Sequence, residues 1–384
     1  MESKRNDVKN IVPFFLPWIS REDKKHVIDA LNSPTLTDGP KLREFEHAFA
    51  EYTGAKFAIA VSNATSALHM SIKSLGITNG DEVIVPAMTF VATANAVMLT
   101  GATPVFADVA KDTMNISINS IENMISVKTK AIIPVHFAGR SCNMKKINKI
   151  AKKYNLKIVE DCAHAIGARF DGKHVGNFGD AGCFSFYPTK NITTIEGGMI
   201  ITNSKDVASY VTSLRNHGLN KTLMQRFARG KPWDYDITQP GYNYRLDEIR
   251  SALGLSQLKR IDRLNKIRKK VYEYYNKKLE NVDGITTPRS SEKSDHVYHL
   301  YILRINKKTK VSRDEVFYKL QKIGIKTTLH YKPLHKFSPF KNIRKDKLGN
   351  SEELYEEILS LPFYPNMPVK HQDLVINNIV KIVK

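Results

Sequence analysis

Residues 159–198 read VEDCAHAIGARFDGKHVGNFGDAGCFSFYPTKNITTIEGG, and this stretch decides the fold that the sequence predicts. An aspartate, Asp161, ends an apolar strand, and a serine, Ser185, lies on a second apolar strand. A lysine, Lys190, follows that serine by five residues, and a glycine pair at 197–198 allows close backbone approach. In α/β sheets ligands bind outside the carboxyl ends of strands, so this order of polar groups predicts a binding site.

An acid, a hydroxyl and an amine in this order are the groups needed to hold a pyridoxal phosphate (PLP) ring. Asp161 would pair with the pyridine nitrogen, Ser185 would bind the phosphate, and Lys190 would form the Schiff base. A carboxylate placed after apolar strand residues must be paired, and a pyridinium is a suitable partner. Ordinary roles remain open at this point: a strand-end aspartate for Asp161 and a solvated lysine for Lys190.

Other positions in the first half of the chain are candidates for the same site. The run 63–66 (NATS) joins a strand to a helix, so its free N–H groups and the Thr65 hydroxyl could bind phosphate. Phe90 lies at the next strand-to-helix turn and could stack on a flat ring. His164 follows Asp161 by three residues and could contact the ring or its phenolic oxygen. Plain helix capping, a core phenylalanine and a structural histidine are the alternatives.

A further candidate, Asn243, lies in the run 241–245 (GYNYR), just before a helix. The alternation of aromatic and polar residues there could serve a phosphate or a partner subunit. A turn that leads into the helix is the simpler interpretation.

The pattern of strands and helices predicts an α/β fold with two domains. Short apolar strands alternate with amphipathic helices over the first two hundred residues or so, which is typical of a mainly parallel, covered sheet. A long charged helix is predicted over about 246–279, followed by a strand over 298–305 and a helix near 313–323. We therefore predict a large α/β domain over 1–265 and a small α+β domain over 266–384.

Composition restricts the class of protein. The 384 residues carry a net charge of +21 and three cysteines, and no stretch has the long apolar run of a membrane span. The charged N-terminus argues against a secretory signal, so a cytoplasmic protein with reduced thiols and no metal site is expected. The lysines are scattered along helices, which favours solvated helix faces over a nucleic-acid surface, although a regulator that binds DNA remains an alternative.

The residues quoted above, together with several other runs, resemble the DegT/StrS-type nucleotide-sugar aminotransferases, which are PLP enzymes of the type I aminotransferase fold. The resemblance covers nearly the whole chain. The other matching runs are 36–40 (LTDGP), 62–68 (SNATSAL), 80–84 (GDEVI), 89–93 (TFVAT), 129–132 (TKAI), 215–218 (RNHG) and 241–245 (GYNYR).

The resemblance implies a role for each candidate residue. Lys190 would be the Schiff-base lysine and Asp161 the partner of the ring nitrogen. Asn243 would reach the cofactor phosphate of a neighbouring subunit, which implies a homodimer with shared active sites. One departure is an alanine, Ala64, where the family usually has glycine. The remaining cofactor contacts would be Ala64, Thr65 and Ser185 at the phosphate, and Phe90 and His164 at the ring.

The implied reaction is a transamination in two halves. L-Glutamate would convert the cofactor to pyridoxamine phosphate, which would then aminate a keto carbon of a nucleotide-linked keto-deoxysugar. Motifs such as 134–139 (PVHFAG) and 328–331 (TLHY) resemble enzymes that act on C4 of UDP-linked sugars.

Several alternatives stay open at this stage. Other substrates are a GDP-linked 4-keto sugar of the perosamine type, a TDP-linked 3-keto sugar or a keto-cyclitol. A dehydratase of the same family would carry histidine at the position of Lys190, so that lysine argues against it. Outside enzymes, a PLP-binding regulator is the alternative.

Overall fold

The computed structural model describes residues 11–221, 225–226, 232–289, 294–306 and 309–384. The α-helices of these residues are α1 (Arg21–Leu31), α2 (Pro40–Thr53), α3 (Ala64–Ser74), α4 (Ala92–Met98), α5 (Ile118–Met124), α6 (Met144–Tyr154), α7 (Lys205–Leu214), α8 (Glu248–Leu258), α9 (Ile261–Leu279), α10 (Arg313–Lys322), α11 (Gly349–Glu357) and α12 (Val369–Val383). The strands are β1 (Phe57–Val61), β2 (Glu82–Pro86), β3 (Thr103–Ala107), β4 (Thr129–Ile132), β5 (Lys157–Asp161), β6 (Arg169–Phe170), β7 (Lys173–His174), β8 (Ala181–Ser185), β9 (Gly198–Thr202), β10 (Ile285–Thr286), β11 (Ser294–Asp295), β12 (Ile302–Ile305) and β13 (Ile358–Ser360).

The large sheet of the described residues has seven strands in the order β1-β9-β8-β5-β4-β2-β3. Strands β8, β5, β4, β2 and β3 are parallel to one another, whereas β9 runs antiparallel to both β1 and β8. The sheet is therefore mixed but mainly parallel, and the predicted α/β fold class is confirmed. In a parallel arrangement the carboxyl ends of β5 and β8 meet at one edge of the sheet.

Both faces of the sheet are covered by helices, as its apolar strands require. On β2 the side chains of Val83 and Val85 pack on one face with α3, while Ile84 between them packs on the other face with α5 and α6. On β9 the side chain of Ile200 joins the first face, and Ile201 packs against α2 and α8 on the opposite one. Consecutive apolar residues thus point to opposite cores, which gives the sheet a fixed register relative to its helices.

The last part of the chain builds a second core. An antiparallel sheet in the order β10-β12-β13 packs with α9, α10 and α12. Val12, near the start of the described chain, belongs to this second core, and Leu334 and Phe340 pack into the core of the large sheet. The chain thus crosses between the two cores more than once, and the division at residue 265 stays a prediction.

The single long helix predicted over 246–279 is wrong in one respect, because the chain breaks it at Arg260 between α8 and α9. The Arg260 backbone leaves the helical region, with φ −122° and ψ 11°. Its guanidinium donates hydrogen bonds to the Trp18 carbonyl and to the buried Asp23 carboxylate. These contacts with the N-terminal segment fix the bend, and nothing local in the sequence announces it.

The strand predicted over 298–305 is shorter than expected, since β12 begins at Ile302. The residues just before β12 form hydrogen bonds with another segment instead. The N–H groups of Val297 and His299 donate to the carbonyls of Gly139 and Ala138, respectively. Within the described residues, no helix combines the length and the apolar character that a membrane crossing requires.

A glycine contact places the start of α3 against the sheet. Gly198 begins β9, and a Cβ atom added to it would lie 2.5 Å from the Asn63 carbonyl carbon and 2.8 Å from the Ala64 nitrogen. Only a residue without a side chain lets the two backbones approach this closely.

We expect Gly198→Ala to destabilise the fold by about 1–3 kcal/mol, because the added methyl group must push α3 away from β9. Gly349→Ala is the matched control, since a Cβ atom there meets nothing within 4 Å. The free energies of unfolding from urea titrations of the two variants and the parent give the comparison. Equal stability of Gly198→Ala and the parent would contradict the close contact.

Candidate active site

The site forms where the carboxyl ends of β5 and β8 meet the start of α3. Asp161 is the last residue of β5 and pairs in register with Cys183 of β8, while Ser185 is the last residue of β8. A cavity of about 800 Å³ opens at this edge. Of the predicted residues, the cavity is lined by Ala64, Thr65, Phe90, Asp161, His164, Ser185 and Lys190.

Asp161 is a buried carboxylate with a defined set of donors. Its Oδ2 accepts a hydrogen bond from the Thr93 hydroxyl at 2.9 Å, and its Oδ1 accepts one from the Ala163 N–H at 3.1 Å. Burial raises the pKa of this carboxyl above its usual range, whereas these donors and the nearby Lys190 ammonium oppose that rise. A cation placed against the carboxylate would offset the cost of its burial.

Lys190 is held in a turn after β8 and lines the same cavity. Its N–H donates to the Tyr187 carbonyl at 2.9 Å, which fixes the turn. Burial lowers the pKa of the amine to about 8, and the Asp161 carboxylate limits that decrease. At pH 7 about a tenth of such an amine is unprotonated. The unprotonated form is the one that can attack a carbonyl.

Donors for an anion converge at the start of α3. The Asn63 side chain caps the helix by accepting from the Ser66 N–H at 2.9 Å. Among the described residues, no hydrogen-bond partner is found for the N–H groups of Ala64 and Thr65, so both are free to bind an anion at the positive end of the helix. Ala64 is the first residue of α3, where an alanine fits without strain despite the departure from the family glycine.

Ser185 and Phe90 occupy opposite extremes of burial. Ser185 is buried. The only described hydrogen bond of its hydroxyl is accepted from the Tyr187 N–H and is long, at 3.4 Å. The hydroxyl is therefore available to a ligand. Phe90 is 57% exposed at the mouth of the cavity, and its ring centroid lies 6.0 Å from that of Tyr331. A ring at the mouth can cover a flat ligand, whereas the interpretation as a core phenylalanine does not hold.

His164 is part of a buried polar group that the sequence did not reveal. Its Nε2 lies 3.1 Å from the Tyr331 hydroxyl, and its Nδ1 is buried with no partner among the described residues. Burial lowers the pKa of His164 well below its ordinary value, so the ring is neutral. If the Tyr331 hydroxyl donates to Nε2, then Nδ1 carries the proton and offers a donor to a ligand in the cavity.

Thr93 and Tyr331 are the site residues that sequence reasoning missed. Thr93 follows Phe90 by three residues on the first turn of α4, so the run 89–93 did contain a signal for it. Tyr331 lies 167 residues from its partner His164, and no local pattern links the two.

Asn243 does not line the cavity in this chain. It is exposed, and its backbone forms an isolated β-bridge with Asn216. Its neighbour Tyr244 does line the cavity, and the Tyr244 carbonyl accepts from the Ser62 N–H at 2.8 Å. The segment is thus anchored beside the site while the Asn243 side chain faces outward.

A second buried acid next to Asp161 serves the fold. The Glu160 carboxylate accepts from the N–H groups of Gly176, Phe178 and Gly179 at 2.6–2.8 Å and lies 3.0 Å from His136 Nε2. His136 Nδ1 accepts from the Cys142 N–H, so Nε2 carries the proton and donates to Glu160. Both ring nitrogens are therefore used, and the cluster braces the end of β5 instead of offering free ligands.

The sheet, the buried acid and the buried amine define a pyridoxal-phosphate-dependent type of enzyme, and comparison with known proteins agrees. The chain belongs to the DegT/DnrJ/EryC1/StrS aminotransferase family, whose pattern matches residues 17–380. It is a sugar aminotransferase of that family. It is similar to the spore coat polysaccharide biosynthesis protein SpsC of Bacillus subtilis, with 38% identity over 389 residues that cover 100% of this chain and 99% of SpsC.

Solved structures show the same fold. One is Helicobacter pylori PseC, an aminotransferase involved in pseudaminic acid biosynthesis, with a TM-score of 0.91 and 32% identity over 97% of this chain and 99% of PseC. Another is Spr1654 of Streptococcus pneumoniae in its PMP form, with a TM-score of 0.90 and 30% identity over 97% of this chain and 100% of Spr1654. The predicted type I aminotransferase fold is thereby confirmed.

The basicity of Lys190 can be measured on the protein without cofactor. We expect an amine-selective acylating reagent to label Lys190 with a midpoint near pH 8, where half of the amine is free. Removing the nearby negative charge in Asp161→Asn should move that midpoint to lower pH. Mass-spectrometric peptide mapping over a pH series gives both values. A midpoint above pH 10 for Lys190 would contradict its buried environment.

Proposed function

We propose that the protein transfers the amino group of L-glutamate to the keto carbon, at C4, of a UDP-linked keto-deoxysugar, with PLP held on Lys190. The observation that carries the proposal is that one cavity brings together an amine of lowered pKa and a buried carboxylate from neighbouring strand ends. The PMP form of the similar protein Spr1654 supports the choice of cofactor.

The chemistry of the lining residues suits each part of the cofactor. Asp161 would hold the protonated ring nitrogen, and the free N–H groups of Ala64 and Thr65 with the Ser185 hydroxyl would hold the phosphate. His164 offers a polar contact near the ring, and Phe90 covers the mouth. When bound, the cofactor supplies an electron sink for the carbon that gains or loses the amine.

Lys190 has a second task once its amine is free. An amine with a pKa of about 8 can both accept and return a proton near neutral pH, so it is the natural base for moving a proton between substrate and cofactor carbons. Asp161 sits within electrostatic reach and keeps part of the amine charged. Burial of Lys190 and the charge of Asp161 together thus set the ratio of protonated to unprotonated amine.

The net charge of the chain and the proteins to which it is similar support a nucleotide-linked sugar as the acceptor. The net charge of +21 favours approach of a dianionic substrate. PseC is an aminotransferase involved in the biosynthesis of pseudaminic acid, and SpsC is a spore coat polysaccharide biosynthesis protein. The GDP-linked 4-keto, TDP-linked 3-keto and keto-cyclitol acceptors are the alternatives. A cytoplasmic location and the absence of a nucleic-acid partner stay predictions.

The proposal is tested by turnover with purified sugars. We expect amination of a UDP-linked 4-keto-deoxysugar with L-glutamate, and a rate at least tenfold lower with the GDP- and TDP-linked analogues, because nucleotide contacts are lost. Lys190→Ala should abolish turnover while PLP still binds without a covalent link. The control is Lys277→Ala on the exposed face of α9. Appreciable turnover by Lys190→Ala would overturn the assignment.

Asn243 suggests how the site is completed. Its exposed side chain lies beside the cavity of its own chain, so a second copy is needed for it to reach a cofactor phosphate. Exposed apolar side chains in the same region, Leu99 and Tyr187, offer a surface for that copy. The proposed assembly is a homodimer in which each active site contains residues of both chains.

Subunit complementation tests the shared site. Lys190→Ala and Asn243→Ala should each be nearly inactive alone, because every site of either dimer lacks one residue. After the two variants are mixed, unfolded and refolded together, about a quarter of the sites should be intact, in mixed dimers. Turnover should recover to about that fraction of the parent value. Each variant refolded alone is the control, and absence of recovery in the mixture would contradict a shared site.

A further inference from the structure

A second cavity, of about 270 Å³, lies between the two cores and shares no lining residue with the active-site cavity. One wall comes from residues 111–114 and the turn 137–140 beside the large sheet. The other wall comes from Tyr272 of α9, residues 286–289 and β12. We call this space the interdomain cavity.

Arg140 is the unusual residue of the interdomain cavity. Only 8% of Arg140 is exposed, yet no carboxylate among the side chains that the structure describes pairs with its guanidinium. Its contact is the neutral Tyr272 side chain: burial raises the pKa of that phenol, and Arg140 acts against the rise through charge and a hydrogen bond. Buried cations are ordinarily paired, and no described side chain supplies the counter-charge of this one.

The other cations of the lining are already neutralised or exposed. Lys111 lies 2.7 Å from Glu353, and Arg304 lies 2.6 Å from Glu357. Burial lowers the pKa of His296, so its ring is neutral. At the mouth, Arg289 and Asp112 are exposed and opposite in sign. The interior of the cavity therefore keeps one positive charge that no side chain in the described part of the chain compensates.

Much of the remaining wall is apolar. Met114, Phe137, Leu300 and Ile302 are buried side chains of one hydrophobic cluster, and each also lines the cavity. A pocket with apolar walls and one polar anchor selects a ligand with the matching pattern. A dianion would need a second free cation, and a neutral ligand would leave the guanidinium unpaired.

We propose that the interdomain cavity binds a small monocarboxylate with an apolar body, whose carboxylate pairs with Arg140. The planar guanidinium fork matches a carboxylate in a bidentate geometry, and the volume admits a compact body such as a single ring. The inference does not rest on the proposed reaction, because none of its residues lines the active-site cavity.

The position of the interdomain cavity lets a ligand bound there influence the active site. The Phe137 ring, in the cavity wall, lies 6.2 Å from the His164 ring and 6.1 Å from the Tyr331 ring. The ligand would also contact both cores, and a ligand that binds only the docked arrangement stabilises it. The ligand is thus expected to act on the enzyme without competing with its substrates.

Benzoate is a suitable probe, with benzyl alcohol as its uncharged counterpart. Isothermal titration of the full chain saturated with PLP should show one benzoate site, and benzyl alcohol should bind at least about tenfold more weakly. Arg140→Gln should weaken benzoate by at least about tenfold, while Arg289→Gln at the exposed mouth should change the Kd by less than about threefold. Thermal unfolding of both variants provides the control for folding.

A second variant keeps the test decisive if Arg140→Gln is unstable. Thr287→Trp should fill the interdomain cavity and weaken benzoate by about the same factor, although Arg140 is intact. No benzoate binding to the parent protein, or equal binding by the parent and the cavity-filled variant, would overturn the proposal. Equal loss of benzoate and benzyl alcohol in Arg140→Gln would also overturn it, because the charge would then have no part.

Discussion

The active site depends on one electrostatic constraint. The Asp161 carboxylate and the Lys190 amine lie in the same low-dielectric cavity. Burial by itself would neutralise both groups, raising the pKa of the acid and lowering that of the amine. Each group limits the pKa shift of the other, since the Lys190 ammonium stabilises the Asp161 carboxylate and the carboxylate stabilises the ammonium. Thr93 and the Ala163 N–H hold the acid in place.

Other parts of the fold position the groups around Asp161 and Lys190. The parallel order of β5 and β8 brings the ends that carry Asp161 and Ser185 together, and Gly198 lets the start of α3 approach the same edge with its free N–H groups. Glu160 and His136, buried behind the acid, fix the end of β5 through backbone donors. The positions of Asp161, Ser185 and the start of α3 are thus set by strand order and by close backbone contacts.

The sequence allowed the α/β class to be predicted, and it also predicted that Asp161, Ser185 and Lys190 lie together, as they do in one cavity. Both follow from short-range signals, the apolar strands and the polar groups at their ends. Tyr331 was not predicted as a partner of His164, since 167 residues separate them and only the folded chain joins them. The break at Arg260 depends on the distant Trp18 and Asp23 and was missed for the same reason. The role proposed for Asn243 depends on contacts with a second chain, and a single folded chain does not contain those contacts.

The central claim is tested most directly by the absorbance spectrum of the protein saturated with PLP, recorded before and after L-glutamate is added. The account predicts a visible band from cofactor linked to Lys190, which glutamate removes and a keto sugar restores. The same spectrum of Lys190→Ala should lack that band. A parent protein that shows no such band, or a band that glutamate leaves unchanged, would contradict the account.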